Sequence, residues 1–232
     1  MAEETLRESQ KKVLEYRSGF MGISAVPGSG KTWTLSHLAA KLLLTVDLKP
    51  DQEILVVTFS NSAADNFTSR IGRIVREYGL LEGYGYRVRT LHSLAGDIIR
   101  ERPELAGLGN DFRILDDSES DEILDDLCQD QLTSREAFFR QLLKADLPAK
   151  QADKEMRPPD GGIPKLLKEL AVSFIRSAKN EGLLPADLAQ RLRTRPVTPL
   201  FQVLADLYTA YQDRLKLLGA VDFEDLIYFA WK

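Results

Sequence analysis

Over roughly the first 110 residues, apolar positions alternate between two rhythms: short continuous runs, and runs spaced for one face of a helix. Leu6, Val13 and Leu14 among charged residues predict a short helix over 5–16, closed at Gly19. GFMGISAV, 19–26, is an apolar run of strand type. After the Gly-rich PGSGKT, residues 33–44 carry Leu35, Leu38, Ala39, Leu42 and Leu43 at the spacing of a buried helix face. A Pro50-Asp51 turn leads to EILVVTF, a second strand rich in β-branched residues, with Asn61 and Ser62 as candidate caps of the next helix. That helix should bury Ala64, Phe67, Ile71, Ile74, Val75 and Tyr78, with Arg70, Arg73 and Arg76 on or near its other side. YRVRTLHS reads as a third strand running into a loop, and LAGDIIRER as another helix. The alternation βαβαβα calls for a parallel sheet with right-handed crossovers.

Beyond FRILDDSESDEILDDL the grammar changes. No further strand is predicted, and amphipathic helices follow, interrupted at RPPDGGIP and RTRPVTP. The tail from Leu200 reads as a long helix, a stop at Gly219 and a new helix from about Asp222. The fold class is therefore α/β: a parallel-sheet core over 1–110, resumed over 201–232, with an all-helical subdomain inserted over 111–200.

Composition narrows this only slightly. The 232 residues are 44% hydrophobic and 28% charged, ordinary for a folded chain, and the net charge of −4 gives no global attraction to nucleic acid, so any DNA contact must be local. The single cysteine, Cys128, rules out an internal disulfide and suits a reducing cytoplasm, and two histidines with one cysteine cannot build a zinc site. The polar N-terminus does not read as a signal peptide, and no apolar run is long enough to span a bilayer; a cytoplasmic protein without membrane partners is expected.

The chemistry concentrates in AVPGSGKT: Ala25, Val26, Pro27, Gly28, Ser29, Gly30, Lys31 and Thr32. Between a strand and a helix, Gly28 and Gly30 allow the backbone to form a nest of inward N–H groups, and the helix adds its positive end. Lys31 would bridge the β- and γ-phosphates and Thr32 would hold Mg²⁺. The bland alternative is a tight glycine turn that happens to precede Lys-Thr. A phosphate loop by itself does not separate a helicase from a small-molecule kinase or a GTPase.

Five segments in order do separate them. LRESQ, AVPGSGKT, VVTFSNSAADNFTSRI, RTLHSLAGDIIR and GAVDFEDLI together resemble the UvrD/Rep-type (PcrA-like) superfamily-one DNA helicases, in their N-terminal portion. The resemblance implies a P-loop NTPase core of RecA-like fold, incomplete here (domain 1A), with a helical insertion (1B). It also implies ATP and Mg²⁺ as cofactors, and single-stranded DNA and single/double-strand junctions as partners. A role in DNA repair and 3′ to 5′ movement of the full-length protein follow from the same likeness. Gln10 matches the residue that reads the adenine edge, and Trp33 stands where many relatives carry an arginine that helps hold the nucleotide. Thr58, Phe59, Ser60 and Asn61 match one DNA-contact motif, and Thr90 and His92 a second. Taken alone, Phe59 suits a core position as well as a base stack, Ser60 or Asn61 suits a helix cap, and a histidine on a loop suits a local hydrogen bond. His37 reads as structural.

VDFEDLI is not read as the acidic magnesium motif, because Gly219 and Ala220 break the strand such a motif needs; Asp222 is spaced as a helix cap, with Glu224 and Asp225 in the first turn, and Asp222 and Phe223 read as structural or DNA-proximal. With no Asp-Glu pair after an apolar strand and no second motor domain, the fragment is expected to be nearly inactive as an ATPase. The alternatives are a RecB/AddA-like helicase-nuclease subunit, a small-molecule kinase, and a non-catalytic ATP- and DNA-binding module. The acidic stretch 116–126 reads as a solvated face. Lys165, Lys168, Arg176, Lys179, Arg191, Arg193 and Arg195 read as soluble surface that, by resemblance, lies toward duplex DNA.

Overall fold

The computed structural model describes residues 6–144, 156, 162–193 and 198–232, so Arg195 and most of both predicted helix breaks (157–161 and 194–197) lie outside the described residues. The chain divides into two compact units, 1–94 and 95–232.

In the first unit, α1 (Glu8–Leu14) precedes α2 (Lys31–Thr45), β1 (Ile54–Thr58), α3 (Asn61–Glu77) and β2 (Tyr86–Thr90). The strands pair in parallel from Ile54↔Tyr86 to Thr58↔Thr90. Ala39, Ala40, Ile71, Ile74, Val75, Tyr86 and Val88 form the core, joined by Leu43, Ile54, Val56, Ala64 and Phe67. The spacing in α2 and α3 thus turns both apolar stripes onto the alternate positions of β1 that point inward. Leu55 and Val57, pointing the other way, remain open.

Three expectations for this unit are corrected. The run 19–26 forms no strand: among the described residues β1 and β2 pair only with each other, and a strand without a ladder partner has nothing to hold its backbone groups. Its side chains accordingly stand open, Phe20 and Val26 among them. Tyr78 lies past the end of α3 and is exposed, not buried. Of the candidate caps of α3, Ser60, Asn61 and Ser62, it is Ser60 whose Oγ accepts from the Ala63 N–H, at 3.2 Å, and Asn61 and Ser62 lie within the helix.

α4 (Leu91–Glu101) runs across the sequence boundary between the units. In the second unit follow β3 (Arg113–Ile114), α5 (Asp117–Ser134), α6 (Glu136–Lys144), α7 (Gly162–Asn180), α8 (Pro185–Leu192), α9 (Pro199–Leu217), β4 (Ala220–Val221) and α10 (Phe223–Trp231). Helices dominate, as the sequence indicates. The parallel two-residue pairing of β3 with β4, Arg113↔Ala220 and Ile114↔Val221, departs from the expectation of no further strand, since two residues are too few to carry a period. Leu207, Leu215 and Leu226 are fully buried; each stabilises the unit by roughly 1.5–3 kcal/mol relative to exposure. No helix among the described residues is long and apolar enough to cross a membrane.

Candidate functional site

The Gly-rich loop ends in a left-handed residue. Gly30 is the N-cap of α2 with φ of 85°, and Gly28 has φ of 76°, conformations that a side chain would strain. The turn 26–29 around Gly28 is pinned by the Ser29 N–H donating to the Val26 carbonyl at 3.2 Å. Past it, the first N–H groups of α2, from Lys31 onward, have no acceptor within the helix until Thr34 closes on Gly30 at 2.9 Å. Lys31 is exposed and Thr32 half-buried at this helix end. Ser29 Oγ is buried without a hydrogen-bond partner, and a Cβ on Gly28 would meet only open space. Open donors, a helix N-terminus, an exposed lysine and a spare hydroxyl are the features a phosphate chain fits.

A concavity opens beside the loop, lined by Arg7, the N-cap of α1, by Gln10 and Val13 within α1, by Ile23, Ala25 and Val26, and by Lys31 and Thr34. Gln10 is fixed in its wall: its Oε1 accepts from the Arg7 N–H and its Nε2 donates to Thr34 Oγ1, each at 3.0 Å. The first of these bonds is the backward half of a capping arrangement for α1, so Gln10 holds its own helix start as well as facing the concavity. Farther along, Lys41 Nζ donates to the Leu14 carbonyl at 2.8 Å, a second tie between α1 and α2. Thr34 escapes a sequence reading altogether, since a threonine in a helix carries no motif; only its partners reveal it.

Trp33 is half-buried. Its ring lies against His37 one turn on, with centroids 3.9 Å apart. Burial lowers the His37 pKa, with Arg73 adding to the shift and Glu77 opposing it, so the imidazole stays neutral at neutral pH, as suits a packing residue.

The two predicted DNA-contact segments meet. Thr58 and Thr90 are cross-strand partners at the C-terminal ends of β1 and β2, so the residues after them leave the sheet side by side. Phe59 is 92% exposed, which removes the core alternative for it. Ser60 caps α3, and Asn61, its first residue, is exposed. Thr90 is buried and accepts from the Ser93 N–H at 3.1 Å, a capping bond that starts α4 at Leu91. His92 is therefore exposed in the first turn of a helix, not on a loop as expected.

The basic residues of the second unit are differently employed. Lys179, read from sequence as surface, is buried between two carboxylates: its Nζ lies 2.5 Å from Asp222 Oδ2 and 2.9 Å from Asp225 Oδ1. Tyr211 donates to Asp222 at 3.0 Å and Gln212 to Asp225 at 3.2 Å, while Asp222 Oδ1 caps α10 through the Asp225 N–H at 2.8 Å. Burial, together with Asp222 and against the pull of Lys179, pushes the Asp225 pKa up to about 6. The cue lies in the spacing: Leu167, Ala171, Ile175 and Lys179 fall four apart, on the buried stripe of α7. Lys168 pairs with Asp121 and Asp125, and Arg176 with Glu224, which also ties part of the acidic stretch into structure. Burial tends to lower the Lys168 pKa, but hydrogen bonds to Asp125 and Asp121 raise it overall. The cap reading of Asp222 agrees with this geometry. Burial and Asp125 raise the Cys128 thiol to about 12, an inert core position. No group of three or more His, Cys, Asp or Glu among the described residues is set to hold a metal ion.

Parallel strands, with a Gly-rich turn opening a helix and two strand-end segments leaving the sheet side by side, define a mixed α/β protein. Comparison with known proteins makes the class specific. The family of the UvrD/REP helicase N-terminal domain matches residues 6–232, and the chain belongs to that family. It is 31% identical to DNA helicase II of Salmonella typhimurium over 97% of its length, and 31% identical to the ATP-dependent DNA helicase PcrA of Leuconostoc citreum over 96%. It is also 27% identical to the ATP-dependent DNA helicase SRS2 of Saccharomyces cerevisiae over 95% of its length. The chain spans 26%, 25% and 18% of these relatives respectively.

Proposed function

We propose that this chain is the nucleotide- and single-stranded-DNA-binding part of an ATP-dependent DNA helicase that moves 3′ to 5′ and acts at single/double-strand junctions. In this reading, 1–110 and 201–232 belong to a RecA-like ATP-binding domain (1A), and 111–200 form a helical insertion (1B). The observation that carries it is the loop at the start of α2: two left-handed glycines, the open N–H groups that follow, exposed Lys31 and the spare Ser29 hydroxyl. Lys31 draws the β- and γ-phosphates to the helix end, and Thr32 holds Mg²⁺, which neutralises charge on those oxygens when bound. Gln10 reads the base, Ala25 to Trp33 frame the phosphates, and Phe59 stacks on a base while Thr58, Ser60, Asn61 and His92 meet the sugar-phosphate chain, buried Thr90 serving that contact segment by starting α4 beneath His92.

The 232 residues contain no acidic pair at the end of an apolar strand, and Asp222 and Asp225 are occupied by Lys179. The groups that activate water and the second motor domain are therefore assigned outside them, and the chain by itself should bind ATP yet scarcely hydrolyse it. The test is Mg²⁺-dependent ATP hydrolysis by this chain and by the full-length protein, with and without single-stranded DNA. Hydrolysis by the full-length protein stimulated by DNA and lost with Lys31→Ala supports the reading. Brisk turnover by the 232 residues alone, or turnover indifferent to DNA, overturns it.

A further inference from the structure

We infer that Thr34 is a positioning residue that fixes which way the Gln10 amide faces, and through it the preference for an adenine over a guanine nucleotide; the inference rests on the nucleotide-binding reading above. Four groups form a relay with a single possible direction. At one end, the Arg7 N–H only donates, and gives its hydrogen to Gln10 Oε1 at 3.0 Å. At the other, the Gly30 carbonyl only accepts, and takes the one proton of the Thr34 hydroxyl at 3.0 Å. Thr34 Oγ1, its proton committed, is left to accept from Gln10 Nε2 at 3.0 Å. An amide turned over would set its NH₂ against the Arg7 N–H and its oxygen against a hydroxyl whose proton already serves Gly30. Both ends resist the flip.

Gly30 makes the close approach possible, since a Cβ there would lie 3.1 Å from Gln10 Nε2. The relay thus runs from the start of α1 to the last glycine of the phosphate loop, and Thr34 is buried where the two meet.

After these bonds the Gln10 amide retains one N–H and one oxygen lone pair on neighbouring atoms. That pair complements the N7 acceptor and N6 amino donor of adenine, whereas guanine offers N7 and O6, two acceptors. Held in its observed direction, Oε1 would oppose O6 of guanine. A threonine hydroxyl three residues beyond the phosphate-binding lysine therefore sets base selection without touching the base.

The test measures binding of ATP, GTP and 7-deaza-ATP to the chain by competition with a fluorescent ATP analogue, for the unaltered protein, Thr34→Val, Thr34→Ser and Lys31→Ala. The unaltered chain should prefer ATP to both of the others, each by roughly fivefold or more. Thr34→Val, equal in shape but lacking the hydroxyl, should shrink both preferences, the Arg7 N–H alone then holding the amide, and Thr34→Ser should restore them. A Thr34→Val protein with undiminished preferences overturns the inference. So does an unaltered chain that binds 7-deaza-ATP as tightly as ATP, a measurement that stands even if Thr34→Val fails to fold. Unchanged affinity of Lys31→Ala for all three nucleotides would instead overturn the nucleotide-binding reading beneath it.

Discussion

The two units use a lysine in opposite ways. Lys31 stands exposed at a helix end among open backbone donors, while Lys179 is shut in with two carboxylates that satisfy it and that in turn accept from a tyrosine and a glutamine. A polar site that binds something must leave groups unsatisfied until the ligand arrives; one that holds a fold must satisfy them internally. By that measure the loop of the first unit has the character the proposed nucleotide site requires, and the Lys179 cluster joins α7, α9 and α10 of the second.

The sharpest way to break this contrast is Lys179→Met. It leaves two carboxylates buried without their cation, and should cost about 3–5 kcal/mol in urea unfolding at neutral pH. A loss below about 1 kcal/mol would mean the cluster is no more than surface pairing. On the other side of the contrast, Phe59→Ala should leave the melting temperature unchanged, because the ring is 92% exposed, while weakening single-stranded DNA binding by about 1–3 kcal/mol in a fluorescence titration. Unaltered DNA affinity would remove Phe59 from the interface. The smallest expected effect is one of curve shape. Asp225 has a folded pKa of about 6 against an ordinary aspartate value of 3.8, so the folded state binds its proton more readily than the unfolded one does. Its contribution to stability therefore declines as pH rises from about 4 to about 6 and is level above that. Asp225→Asn should flatten the stability profile in this window, as read by thermal unfolding at closely spaced pH values; an unchanged slope would assign the titration to another group.

How much of this can be read from sequence depends on whether a residue's role is local. The stripe Ala64, Phe67, Ile71, Ile74, Val75 fixes α3 by its own period, and the Gly28 and Gly30 loop is a local conformation written in glycine. The run 19–26 looks equally strand-like, but a strand is a relation between two segments, and apolar content says nothing about the second. His92 reads as a loop residue only while the Thr90 to Ser93 capping bond, which begins α4 early, goes uncounted. Lys179 groups with the surface by its charge, although its position on the apolar stripe of α7 is the better guide. Family membership is legible from five short motifs in order, and the comparisons extend it to 6–232. Thr34 gives no signal at all, since its significance comes from Gln10, 24 residues earlier.

The half-covered sheet has a practical consequence. β1 is a run of Ile, Leu, Val, Val and Thr without charge or proline, and it shows Leu55 and Val57 on its open face. Among the described residues the ladder has two strands, and each has an outer edge of N–H and C=O groups with no described strand beside it. Segments of this kind recruit their own likeness, so residues 54–58 are where copies of the purified chain would begin to associate as concentration rises. A single lysine at the outward position 57 would be the simplest remedy for poor solubility.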